Sequence, residues 1–244
     1  MPQEQELHGG HINAPVLVDG TVRRTPTPRS PYIRRLLDHY AAHRWPGAPR
    51  HLGTDARGRE TLTFIRGLVP WEYDERVAAD DSLTALTRLV RTAHDLTAGH
   101  ELAGSGEVVC HNDLTYRNTV YHDRSGQLLP TALIDWDLAA PGRRIHDIAH
   151  LCWQFLHLGP TCDPHWAAHR IRHVADAYGL PREDRADLVP TVLWWQNRSR
   201  EGIEQGAASG NPALTDLCRR GVPQHIRAAQ EWTTTHSEEL SALL

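Results

Sequence analysis

The sequence contains no lysine: all 26 of its Lys and Arg residues are arginine. A site that ordinarily takes a lysine must here use a guanidinium, which is longer, planar and more weakly hydrated than an ammonium. Arginine without lysine, alongside abundant alanine, points to a GC-rich coding sequence. No apolar run is long enough to span a bilayer, and the polar start Gln3-Glu4-Gln5-Glu6 is unlike a signal peptide, so no membrane partner is expected. The four cysteines, Cys110, Cys152, Cys162 and Cys218, have no close paired spacing and read as free thiols of a cytoplasmic protein. A net charge of −4 gives no general attraction to nucleic acid. Repeats and low-complexity tails are absent.

What is present is enough for a folded globule. The chain has 244 residues, 40% of them hydrophobic, with eight tryptophans. A helix is expected after Pro31, with Ile33, Leu36, Leu37 and Tyr40 on one face, following a rigid Pro-rich connector, Thr25 to Pro31. Thr61 to Ile65 reads as a strand and Arg66 to Pro70 as a hinge after it. A second helix, capped by Asp80 or Asp81, turns Leu83, Leu86, Val90 and Ala93 inward. Further helical runs are expected near 145–158, 165–178, 183–205 and 213–240, with Pro190 kinking the third or marking its first turn.

Chemistry concentrates between these elements. Glu107 to Cys110 is a short strand running into His111-Asn112-Asp113. Thr119 to Tyr121 is a second strand, Arg124-Ser125-Gly126 a turn, and Thr131 to Ile134 a third strand ending at Asp135. A hairpin of this kind brings Asn118 beside Asp135, seventeen residues later. An amide oxygen and a carboxylate are hard donors suited to magnesium on phosphates, and Asp113 faces an acceptor hydroxyl across a tight loop.

The segment from about 107 to 150, continuing through Pro141-Gly142-Arg143-Arg144-Ile145-His146-Asp147, resembles the catalytic core of the aminoglycoside phosphotransferase family of small-molecule kinases. Gly47-Ala48-Pro49-Arg50 and Gly58 to Ile65 resemble, less specifically, the amino-terminal lobe of actinobacterial members. The likeness covers about forty residues well and the rest loosely. It implies an α+β, protein-kinase-like fold of two lobes, a reduced β-rich small lobe over 1–66 and a mainly helical lobe over 67–244. It implies transfer of the γ-phosphoryl group of ATP or GTP, with Mg2+, to a hydroxyl of a small-molecule acceptor. Asp113 would be the catalytic base, Asn118 and Asp135 the metal ligands, and His111 and Asp147 structural supports of the catalytic loop. Phe64 and Ile65, before the hinge, would contact the nucleotide.

The family's phosphate-binding lysine is absent, and Arg24 or Arg23 on the strand Thr21 to Arg24 stands in for it, with Asp38 on the following helix as acidic partner. Val18-Asp19-Gly20 offers one glycine where a glycine-rich phosphate loop has several. Trp194, Trp195 and Asp137 are the candidate acceptor-binding residues, the tryptophans sitting among arginines that would not favour a polycation.

Two other readings compete. A pseudokinase would keep the fold as a nucleotide- or ligand-binding module. A zinc hydrolase would use His146 and His150, four residues apart with Asp147 between them. The stripe His165, His169 and His173 reads as a solvated helix face.

Overall fold

The computed structural model describes residues 4–7 and 15–244, so Gln3 of the polar start lies outside the described residues. The chain divides into two compact units, Met1–Gly142 and Arg143–Leu244.

In the first unit β1 (Gln5–Glu6), β2 (Val16–Val18), β3 (Thr21–Arg24), β4 (His51–Thr54) and β5 (Glu60–Thr63) form an antiparallel sheet in the order β1-β2-β3-β5-β4. Val18 pairs with Thr21, leaving Asp19 and Gly20, both at positive φ, as a two-residue hairpin turn. That backbone is what Asp-Gly favours in a primed turn. Val18-Asp19-Gly20 is therefore a hairpin corner.

Between β3 and β4 runs α1 (Ser30–Ala42), which buries the expected Ile33, Leu36, Leu37 and Tyr40. It starts one residue before Pro31, whose missing N–H falls in the first turn where no helical bond is lost. In α2 (Asp80–Thr97), Leu83, Leu86, Val90 and Ala93 are buried as expected. Neither Asp80 nor Asp81 caps it. The N-cap is Ala79 without a side-chain bond, and the two carboxylates sit in the first turn, where the helix dipole favours negative charge.

Next come β6 (Val108–Cys110), β7 (Thr119–Arg124), β8 (Gln127–Leu133) and β9 (Ala140–Gly142), paired antiparallel as β6–β9 and as the hairpin β7–β8. The hairpin turns on Ser125 and Gly126, both at positive φ.

The second unit is helical: α3 (Arg144–Phe155), α4 (Pro164–Tyr178), the single turn α5 (Arg182–Arg185), α6 (Leu188–Ala208), α7 (Pro212–Arg219), α8 (Val222–Thr235) and α9 (Ser237–Ser241). Helix α6 packs against α3, α7 and α8. Pro190 lies in its first turn, the second of the two expected outcomes. The runs expected as single helices break: 183–205 separates before Leu188, and 213–240 separates at Gly221, at φ 76, and at His236. Periodicity continues through such breaks because successive helices bury similar faces.

All four cysteines are free. Among the described residues no helix is long and apolar enough to cross a membrane.

Candidate active site

The ends of β7 and β8 place the central residues. Thr119 pairs with Leu133, so Asn118 just before one strand and Ile134 just after the other are neighbours, and the Ile134 N–H donates to the Asn118 carbonyl at 2.9 Å. The next peptide is held too: His111 Nε2 donates to the Ile134 carbonyl at 3.0 Å. His111 is buried, with its ring 4.5 Å from that of Trp136. A backbone carbonyl can only accept, so Nε2 carries the proton and the tautomer is fixed.

Asp113 and Asn118 close the loop between β6 and β7. The Asn118 side-chain amide donates to Asp113 Oδ2 at 2.7 Å and to the Asp113 carbonyl at 3.0 Å. Both partners are acceptors, so it is the NH2 group that faces them, and the amide oxygen of Asn118 points elsewhere. Asp135 follows Ile134 in the left-handed region, φ 61 and ψ 61, at the start of a short 3-10 turn, Trp136–Leu138. Asn112 also has positive φ, 62, and its side-chain amide reaches the Leu138 carbonyl at 3.0 Å. Asp and Asn tolerate that region better than most residues, and non-glycine residues held there cluster at functional sites.

Desolvation first and the Asp137 carboxylate second make Asp135 a weaker acid than an ordinary carboxyl, and Arg24 only partly offsets them. The Asp135 carboxylate and the Asn118 amide oxygen are hard, oxygen-only donors of the kind that fits magnesium.

Arg24 is buried and doubly engaged. Its Nε donates to Glu60 Oε2 at 3.1 Å and its Nη1 to Asp137 Oδ1 at 2.6 Å. Glu60 is its direct cross-strand partner in the β3–β5 ladder and is itself buried. The expected partner Asp38 is exposed on α1 and is not the acid Arg24 meets. Asp137, expected toward the acceptor, is held by Arg24. Arg23 alternates to the other face of the sheet, 3.8 Å from Asp55.

Phe64 and Ile65 leave the end of β5, Phe64 exposed and Ile65 half-buried. The hinge after them is tied to β7 by two backbone bonds between Leu68 and Tyr121, each 2.8 Å. Gly67 makes this approach possible: a Cβ there would lie 2.4 Å from Val120 Cγ1 and 2.7 Å from the Tyr121 carbonyl. An open depression lined by Leu68, Val69, Pro70, Tyr73 and Asp74 borders the hinge.

In the second unit Asp147 lies buried in the first turn of α3. Trp194 is exposed; His146 stacks on it with ring centroids 5.2 Å apart, and the Arg198 guanidinium lies 5.3 Å over its ring. Trp195 is buried and donates from Nε1 to the His146 carbonyl at 2.7 Å. His150 is buried edge-on between Trp153 and Trp195. The two histidines expected of a zinc site are thus packed on indole rings. Among the described residues neither belongs to a group of three ligating side chains close enough to share an ion.

Glu60 and Asn112 are the residues that sequence reasoning missed. Glu60 shows itself only through strand register; Asn112 had a signal, as the polar residue between His111 and Asp113 in a tight turn.

Residues 16–186 match the family model described as Phosphotransferase enzyme family. The chain belongs to this family and is a kinase-like phosphotransferase. It is also 31% identical, over an alignment of 276 positions covering all of both chains, to the Trifolitoxin immunity protein of Rhizobium leguminosarum bv. trifolii. Among solved structures it is similar to a choline/ethanolamine kinase family protein from Mesorhizobium loti, with TM-score 0.64, 16% identity and coverage of 99% of this chain and 92% of that one. It is similar too to the GDP complex of wild-type aminoglycoside 2'-phosphotransferase-IIIa, with TM-score 0.57, 15% identity and coverage of 99% and 92%. These structural likenesses establish the α+β kinase-like fold.

Proposed function

We propose that this phosphotransferase moves the γ-phosphoryl group of ATP or GTP to a hydroxyl of a small molecule in the cytoplasm, its small lobe ending near residue 66. The observation that carries the reading is the clasp between Asp113 and Asn118, held against Asp135 through the Ile134 peptide. Asp113 accepts the proton of the incoming hydroxyl, and its bond from Asn118 fixes the carboxylate's orientation. Asn118 and Asp135 would hold Mg2+, which supplies charge neutralisation on the phosphates when bound. Arg24 contributes its guanidinium to the phosphates in place of lysine. Phe64, Ile65 and the hinge backbone receive the base. His111 and Asp147 support the loop without touching substrate. Trp194 is exposed, and the arginine over its ring favours a neutral or anionic acceptor over a polycation, whereas buried Trp195 packs its own helix against α3.

The test is thermal stabilisation by ATP and by GTP, with and without magnesium, in the wild type and in Asp135→Ala. A ligand at about a hundred times its dissociation constant adds roughly 2.7 kcal/mol. A magnesium-dependent shift present in the wild type and lost in the variant supports the site; no shift with either nucleotide overturns the donor assignment and favours the ligand-binding alternative.

The full-length similarity to an immunity protein favours one refinement: the acceptor is a growth-inhibitory compound. Expression in a sensitive host should protect it, and protection by chemistry rather than sequestration should disappear in Asp113→Ala.

A further inference from the structure

Resting on that reading, we propose that Asp137 is a latch on the phosphate-binding arginine: its carboxylate occupies Arg24 in the empty enzyme and is displaced when nucleotide phosphates arrive. Glu60 is the positioning residue that keeps the guanidinium aimed while this exchange takes place.

The two carboxylates of Arg24 are not equivalent. Glu60 stands opposite Arg24 in a regular strand pair, its side chain 3% exposed, and takes Nε. The ladder fixes the Glu60 backbone opposite Arg24, and burial of both side chains restricts their movement. Asp137 is 18% exposed, lies on the 3-10 turn that carries Asp135, and takes Nη1 at 2.6 Å. The bonds therefore use different edges of one planar fork. Nε anchors the group to the sheet; the Nη edge points at the turn holding the candidate metal ligand.

Carboxylate and phosphate oxygens compete for the same charge-assisted donors, so Asp137 is the natural placeholder for a phosphate. Arg24 faces Glu60 and Asp137, with Asp135 near by, so an incoming phosphate meets an excess of negative charge until Asp137 gives way. A lysine presents its three donors from one nitrogen, whereas the guanidinium meets Glu60 and Asp137 through separate nitrogens of one planar fork, so Nη1 can change partner while Nε keeps its own. The chain's replacement of lysine by arginine thereby gains a physical use.

The experiment is calorimetric titration of metal-free ATP and GTP, with chelator present, into wild type, Asp137→Asn, Arg24→Gln and the double variant, each first checked for cooperative melting. Removing the latch should tighten binding about tenfold, a difference of about 1.4 kcal/mol. In the Arg24→Gln background the same substitution should have no effect, because there is no guanidinium to release. Unchanged or weaker binding by Asp137→Asn overturns the latch, as does equal tightening without Arg24, which would mark general charge repulsion. Magnesium-dependent binding by the wild type with a null cycle sinks only the latch. No binding by any variant, with or without magnesium, removes the donor assignment as well.

A measurement on the wild type alone guards against variants that fail to fold. Metal-free ATP should shift the Arg24 Nη resonances while its Nε–H, bonded to Glu60, stays in place. Movement of both, or of neither on a bound nucleotide, contradicts the division of roles.

Discussion

Asp113 shows how much of the chemistry rests on single side chains. Its carboxylate is oriented by the Asn118 amide at 2.7 Å, so replacement by alanine removes the proposed base and leaves the amide only its bond to the Asp113 carbonyl. Asp113→Ala should lower turnover by on the order of 10²–10⁴-fold, the range for loss of a positioned base. Nucleotide affinity should change little; a steady-state assay beside a binding titration checks both, and near-normal turnover would refute the assignment.

Asp135 carries a cost that its neighbours reveal. Its folded-state pKa is raised, by desolvation first and Asp137 second, so the native protein binds its proton more tightly than the unfolded chain does. Stability from this group therefore falls as pH rises above the ordinary carboxylate value, and at neutral pH the charge opposes folding. Asp135→Asn should leave the ligand-free melting temperature unchanged or higher while abolishing stabilisation by magnesium nucleotide. A large drop in the ligand-free melting temperature would show that the carboxylate serves the fold instead.

At the scale of elements, the site depends on close joins. The hinge meets β7 through Leu68 and Tyr121 only because Gly67 has no side chain. Gly67→Ala should destabilise the protein by about 1–3 kcal/mol through overpacking, seen as a lower denaturation midpoint, and should weaken nucleotide binding. In the second unit Arg172, one turn before Asp176 on α4, and Arg185 on α5 both pair with it at 2.7 Å. Burial tends to raise the Asp176 pKa, but the two guanidinium bonds outweigh it and the net shift is downward. The stabilisation is full above the ordinary aspartate value and is lost as pH falls through the lowered one. The melting-temperature gap between wild type and Asp176→Asn should accordingly be present at neutral pH and narrow as pH falls below the ordinary aspartate value; a gap that does not narrow in acid would assign the effect to packing.

Elements were legible where one physical signal dominated. Apolar spacing places the buried faces of α1 and α2 because a 3.6-residue period leaves few alternatives. The Asp-Gly pair at 19–20 carries its own hairpin instruction, a primed turn with both residues at positive φ. The helical runs 183–205 and 213–240 were read as continuous because breaks at Gly221 and His236 cost little in pattern, though they redirect the chain.

At the scale of the whole molecule, the family and the kinase-like α+β fold were legible in the sequence through the resemblance around Asp113, Asn118 and Asp135, and the family match over residues 16–186 bears them out. The absence of lysine follows from composition alone. What replaces the lysine's environment was decided by tertiary structure. Asp38 is nearer to Arg24 in sequence, but α1 turns it to solvent, while strand register sets Glu60 opposite Arg24 and a 3-10 turn brings Asp137 to the other edge of the guanidinium. A charged side chain names the kind of partner it needs; which carboxylate meets it depends on how strands pair and turns close, and neither is written in local sequence.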